Sequence, residues 1–200
     1  MKKLFSFLLL LSFTIKAQEI KIGNQTWTTK NLDVTTYCNG DAIPQVQDKK
    51  AWANLITGAW CYYDNDASSG ATYGKLYNWY AVNDSRGLAP KGYHIPTDKQ
   101  WTKLINNLGG KEIAGIEMKS TIGWNNDGNG TNSSGLLCLP GGSRDFENDF
   151  DYVGDIGIWW SSSHDYTIKA WGLLLGCVNG SVLRASLDKQ NGFSVRCIKD

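Results

Sequence analysis

From residue 97 to residue 110 the apolar positions fall at helical spacing: Trp101, Leu104, Ile105 and Leu108 lie three or four apart with polar residues between them. Thr97 supplies a capping hydroxyl, Gln100 stands three residues on to complete a capping box, and Gly109-Gly110 ends the run. The pattern predicts one helix whose apolar stripe faces a core. A shorter helix is expected from Asp48 to Leu55. Elsewhere the pattern is that of short strands between glycine-rich turns. Ala170 to Val178 and Ser181 to Leu187 flank Asn179-Gly180, a dipeptide suited to the two positive φ angles of a type I′ turn, and predict a hairpin. Further strands are expected at Glu19 to Ile22, Leu76 to Val82, Leu136 to Leu139, Ile158 to Ser162 and Phe193 to Ile198. No Pro-rich or charged linker and no repeat interrupts residues 18 to 200, so the reading is one α+β domain.

Composition sharpens this picture. Among 200 residues, 42% are hydrophobic and 20% charged, values that exclude a disordered chain or a coiled coil. The unusual counts are 22 Gly, nine Trp and nine Tyr, so large amphipathic rings must build either the core or a binding face. The N-terminus bears on compartment: Met1, Lys2 and Lys3 precede an apolar run from Leu4 to Ile15, and Ala17 ends a cleavage site with Ile15 at its −3 position. This predicts a secretory signal peptide over residues 1 to 17. The run is short of the roughly 20 residues that span a bilayer, and no later segment approaches that length. Loss of Lys2, Lys3 and Lys16 takes the formal charge from +1 to −2, which gives no reason to expect nucleic acid or anionic membrane as partner.

Export would place Cys38, Cys61, Cys138, Cys177 and Cys197 where disulfides persist. Sequence alone does not choose among the pairings; Cys38 with Cys61 and Cys138 with Cys177 is the preferred one. No C-x-x-C pair occurs, and His94 and His164 are far apart, so zinc is not supported.

Several segments, in order, resemble the Fibrobacter succinogenes major paralogous domain: Trp27 with Asn31-Leu32, Tyr73 to Val82, Gly92 to Thr97 before Trp101, Trp124-Asn125, Gly128 to Gly135, Leu139 to Gly142, Gly157 to Ser162, and Gly192 to Cys197. The likeness spans about residues 20 to 198. The Gly92 to Trp101, Gly141 to Ser143 and Gly192 to Cys197 blocks also resemble the wider sulfatase-modifying-factor group. That resemblance implies a variant of the C-type lectin fold, with the chain ends paired in one sheet and a loop-rich half above it. It implies no established activity. The copper-dependent cysteine pair of formylglycine-generating enzymes has no matching motif around Cys177 or Cys197, so that chemistry is not transferred. Where the family commonly reads Leu-Cys-Pro, this chain reads Leu88-Ala89-Pro90, which implies that Cys197 is the spare thiol.

Four residue groups are candidate sites. Ser161, Ser162 and Ser163 adjoin His164 and Asp165 without the glycines of a nucleophile elbow, and read as a loop. Asp145, Glu147, Asp149, Asp151 and Asp155 are candidates for glycosidase acid and base, though alternation in an extended segment would equally put them on one solvated side. Asn125, Asp127 and Asn129 match the first half of an EF-hand loop but lack its twelfth-position Glu; they remain candidate ligands for calcium in a loop-built site. Trp159-Trp160 lies in a predicted strand, where successive residues face opposite sides. One ring is therefore expected buried and the other near the surface, beside Asp155, Ser161 and Asp165. The leading expectation is a secreted, non-enzymatic binding or adhesion domain that recognises a glycan or extracellular protein through loops 120 to 135 and 143 to 169. A carbohydrate-active enzyme using the Asp145 to Asp155 carboxylates and a structural module of the cell envelope are the alternatives.

Overall fold

The computed structural model describes residues 18–147 and 149–200; the expected export segment lies outside the described residues. The chain begins with a hairpin of β1 (Glu19–Ile22) and β2 (Gln25–Thr28), in which Ile20 pairs with Trp27. After an irregular stretch, Asp48 caps α1 (Lys49–Ala53) by accepting a hydrogen bond from Ala51 N. Then follow β3 (Trp60–Cys61), a 3-10 turn (Tyr63–Asn65), α2 (Ala67–Tyr73), β4 (Leu76–Tyr77) and α3 (Trp79–Val82). Next come β5 (Tyr93–His94), α4 (Asp98–Asn107) and α5 (Ala114–Met118). The last third holds β6 (Gly141–Asp145), β7 (Asp149–Val153), β8 (Ile156–His164), β9 (Lys169–Gly176), β10 (Val182–Asp188) and β11 (Ile198–Lys199).

Two sheets organise these pieces. One has the order β1-β2-β11-β5, so the chain ends meet where Ile198 pairs with both Trp27 and His94. The other has the order β10-β9-β8-β6-β7, antiparallel except at the β6 and β8 contact. The architecture is mixed α+β, mostly sheet, with few and short helices. Among the described residues no helix is long and apolar enough to cross a membrane.

The expected α4 forms with its complete capping box: Thr97 Oγ1 accepts from Gln100 N, and Gln100 Oε1 accepts from Thr97 N at 2.8 Å. Helix α1 falls within the expected 48 to 55. Other expectations need correction. Leu76 to Val82 is not one strand, because the Asn78 side chain accepts from Ala81 N and turns the chain into α3 after two strand residues. Leu136 to Leu139 contributes only a bridge between Cys138 and Lys119. The β9–β10 hairpin exists, but its connection is five residues long, and neither Asn179 nor Gly180 has positive φ. Its turn is held open by docking: the buried Lys119 Nζ donates to Gly176 O at 3.2 Å and Asn179 O at 3.0 Å, and Val182 N donates to Lys111 O. The Gly180 carbonyl lies against Gly115, where a Cβ would clash with it.

The fate of the tryptophans explains how so loop-rich a chain closes a core. Trp159 packs with Trp27, Trp101 and Leu104 on one face of the second sheet, whereas Trp160 packs with Tyr77, Trp79 and Phe193 on the other. Both rings are fully buried, with 0% exposure. This corrects the expectation of one exposed indole: β8 is covered on both faces, so alternation sends each ring into a different apolar cluster rather than one into water. The indole N–H groups also tie irregular backbone: Trp52 donates to Gln190 O, Trp60 to Ile43 O, Trp79 to Ser161 O, Trp124 to Cys138 O and Trp160 to Tyr77 O, at 2.8 to 3.1 Å. Each ring thus removes apolar area from water while its N–H finds a backbone carbonyl acceptor, at Tyr77 and Cys138 one that also accepts from a backbone N–H.

Buried cations do the same work. Arg144, fully buried, donates to Asp149 Oδ1 at 3.1 Å, Val46 O at 2.7 Å and Gln47 O at 2.8 Å, and lies over the Trp52 ring. Lys75 pairs with Asp33 and stands over Trp60 and Tyr62. Arg196 donates to Asn31 Oδ1 and to the carbonyls of Thr28, Leu136 and Leu137, with no carboxylate among its hydrogen-bond partners.

Candidate functional site

The residues predicted to form the ligand surface, Asp155, Trp159, Trp160, Ser161 and Asp165, do not assemble into one. Asp155 and Asp165 flank opposite ends of the nine-residue β8, and at roughly 3.3 Å per strand residue they lie on the order of 30 Å apart. Ser161 is 1% exposed, and its hydroxyl accepts from Ser163 N. With Trp159 and Trp160 internal, the expected surface of indole, serine and carboxylate is absent.

The two loop regions do touch at one point. Asn125 N donates to Gly154 O at 2.8 Å, Asn125 Nδ2 donates to Asp155 Oδ1 at 3.1 Å, and Cys177 packs against the same carboxylate. Two of the candidate calcium ligands, Asn125 and Asn129, are engaged by protein groups there. Asn129 Oδ1 is engaged by Trp124 N at 3.0 Å, while Asn126 and Asp127 take left-handed backbone to form the turn. Among the described residues no group of three or more His, Cys, Asp or Glu side chains converges as a metal site. Asn and Asp act here as turn formers.

The acidic run is folded into the β6–β7 hairpin, which breaks the single extended segment expected for it. Asp145 and Asp149 are register partners, Asp145 Oδ1 accepts from Glu147 N, and Asp149 is tied to Arg144. Asp149 and Tyr152 have positive φ, so the side chains do not follow simple alternation. These carboxylates close turns and neutralise a buried guanidinium.

The cysteines also depart from expectation. None of the five lies at disulfide distance from another, so neither Cys38 with Cys61 nor Cys138 with Cys177 is bridged. Cys61, Cys138, Cys177 and Cys197 are each buried in an apolar cluster, and Cys38 alone is exposed. Burial pushes the Cys61 and Cys197 thiols up to about 12 and the Cys138 thiol up to about 11. Cys197 packs in the same cluster as Ala89, the residue standing where the family commonly has cysteine.

What the fold does offer is a wide groove that sequence reasoning missed. It encloses about 620 Å³ between the 86 to 92 loop, β5 and the end of β11. Its floor includes Val82, Leu88 and Ile95, and its rim includes Arg86, Lys91 and Asp200. His94 lies within it, with Nδ1 2.8 Å from Asp200 Oδ1 and Nε2 2.7 Å from Gln100 Nε2. Because Gln100 Oε1 is engaged by the helix cap, its amide NH₂ faces the imidazole, which makes Nε2 the acceptor and Nδ1–H the donor to Asp200. The ring thereby links the C-terminal strand to the start of α4. Arg86 is held by Asp84 and Asp41 and stacks over Tyr37 with its guanidinium carbon 4.0 Å from the ring centre. Its hydrogen bonds hold the Asp84 carboxyl down to about 2. The groove is assembled from residues 38, 82 to 97, 162 and 200, and no local motif announces so dispersed a set.

The fold and its clefts define a mixed α+β protein whose ends close one sheet and whose irregular segments are tied by buried indoles and cations. A family model described as the Fibrobacter succinogenes major domain matches residues 20–199, and the chain belongs to that family. No curated protein and no solved structure matches it.

Proposed function

We propose that the protein is a secreted, non-enzymatic binding or adhesion domain of C-type-lectin-like architecture, and that it holds a glycan or surface protein in the groove around His94. The observation that supports this is the groove itself: wide, open to solvent, apolar at its floor and polar at its rim, a composition suited to receiving a ligand. The closure of the chain ends in one sheet agrees with the fold the resemblance implies, and the Met1 to Ala17 pattern agrees with export. The reading as a carbohydrate-active enzyme is weakened by the engagement of Asp145, Asp149 and Asp155 in turns, an ion pair and an amide contact.

The test is residues 18 to 200 on an array of glycans and bacterial surface proteins, in calcium and then in chelator. Binding is expected to survive chelator, because the groove is lined by none of Asn125, Asp127 and Asn129, and to be lost in Lys91→Glu and His94→Ala. Silence across the array in both conditions would transfer the assignment to the envelope-module reading.

A further inference from the structure

A second cavity, separate from the groove, lies where four sequence-distant segments meet. It has a volume of about 220 Å³ and is lined by Thr29, Asn31, Thr72, Tyr73, Leu137 and Arg196, among others. Arg196 is 2% exposed. A guanidinium carries five N–H donors, and four hydrogen bonds engage it: Nε to Asn31 Oδ1 at 2.6 Å, Nη1 to Thr28 O and Leu136 O at 2.9 Å each, and Nη2 to Leu137 O at 3.0 Å. One Nη2 hydrogen therefore has no protein acceptor among the described residues.

Electrostatics make this position unusual. An ionised group so deeply buried is ordinarily paired with a carboxylate, as Arg144 is with Asp149. Arg196 has only neutral partners, and burial lowers its pKa. Asp33, the carboxylate on the cavity wall, is already paired with Lys75. Lys30 adds a second positive charge to the lining. The chain has also accepted a costly backbone here: Leu137 has φ of 54°, a conformation unfavourable for a bulky residue, with its carbonyl directed at Arg196 and its N–H held by Asn132 Oδ1.

We propose that this cavity binds a compact carboxylate, with the carboxylate oxygen accepting from Arg196 Nη2, and that the ligand class is a single uronic acid unit. The volume lies below the roughly 300–1,000 Å³ of clefts that take drug-sized molecules, so one sugar-sized unit is the scale expected. The Thr72 hydroxyl and the acceptor side of Thr29 Oγ1, whose hydrogen goes to Gln18 O, suit a polyhydroxylated ring, and Tyr73 offers an aromatic wall. The proposal is independent of the groove around His94, which shares none of these residues.

The probe is D-glucuronate, titrated into residues 18 to 200 by calorimetry beside methyl glucoside as the neutral control and glucuronate-terminated disaccharide as the chain-end arm. Glucuronate is expected to bind at least about tenfold more tightly than methyl glucoside, the discrimination expected of a charge-assisted hydrogen bond. Tighter binding of the disaccharide would identify a glycan terminus as the source, and preference for the monosaccharide would identify the free acid. Thr72 is exposed on α2, so Thr72→Trp should block the cavity while leaving the melting temperature unchanged. Equal affinity for glucuronate and methyl glucoside, no heat from glucuronate, or undiminished binding in a folded Thr72→Trp variant would overturn the proposal.

Discussion

Replacing Asn31 with Ala should destabilise the protein out of proportion to the size of the side chain removed. Asn31 Oδ1 accepts from Trp159 Nε1 at 2.8 Å and Arg196 Nε at 2.6 Å, while its Nδ2 donates to Tyr73 O at 2.8 Å and Ser194 Oγ at 3.1 Å. One half-buried side chain thus joins the first strand pair, α2, the centre of β8 and the C-terminal segment. In the Ala variant the Trp159 and Arg196 donors stay buried without that acceptor, each at about 1–3 kcal/mol, the charged one toward the upper end. Water entering the Arg196 cavity offsets part of this, since Asn31 lines that cavity and Tyr73 is only half-buried. The net expectation is about 3–4 kcal/mol. With a urea slope of about 2 kcal/mol/M, the midpoint should fall by roughly 1.5–2 M, read by tryptophan fluorescence and circular dichroism together. Asn31→Asp loses the two Nδ2 donations but keeps the oxygen that accepts from Trp159 and Arg196 and places a negative charge beside Arg196, so its destabilisation should be smaller than that of Ala. A loss below about 1 kcal/mol for Asn31→Ala, or a larger loss for Asp than for Ala, would refute the reasoning that buried donors make this residue a hub.

Arg144→Leu should destabilise by about 2–3 kcal/mol in the same assay: it strands the Val46 and Gln47 carbonyls, but Asp149 is 33% exposed and can be rehydrated, which holds the loss below the roughly 3–5 kcal/mol of a wholly buried pair. A thiol reagent at neutral pH should modify Cys38 alone in the native protein and all five cysteines after unfolding; fast native modification of Cys61, Cys138 or Cys197 would contradict their burial. The same three thiols predict an alkaline loss of stability. Their folded pKa values are raised, so their contribution is complete below the unfolded value of about 8.5 and is lost as pH rises toward about 11 to 12. Cys138→Ala should make the fall in urea midpoint above pH 8.5 shallower, and an unchanged slope would remove that thiol from the account.

What was legible in the sequence was local. The α4 capping box, the Asp48-capped α1, the first strand and the β9–β10 pairing each arise from residues within about twenty positions of one another, near enough for a local pattern to indicate them. What was hidden depends on partners far along the chain. The Asn179-Gly180 dipeptide favours a tight turn in isolation, yet Lys119, some 60 positions earlier, takes the carbonyls of Gly176 and of Asn179 itself and opens the connection. Alternation put Trp159 and Trp160 on opposite faces, which is correct; it did not reveal that both faces are covered, because the covering residues come from segments as distant as Trp27 and Phe193. The same logic explains the missed clefts. Asn31, Tyr73 and Arg196 are three separate positions in sequence and one wall in space, joined by hydrogen bonds between partners up to 165 positions apart. In a fold with short elements, long-range side-chain bonds replace the backbone ladders that local patterns encode. A site built at their junction is therefore written in the chain as scattered polar residues inside apolar neighbourhoods, and Arg196, a cation between Val195 and Cys197 in a stretch that is otherwise buried, is the position where that writing was open to be read.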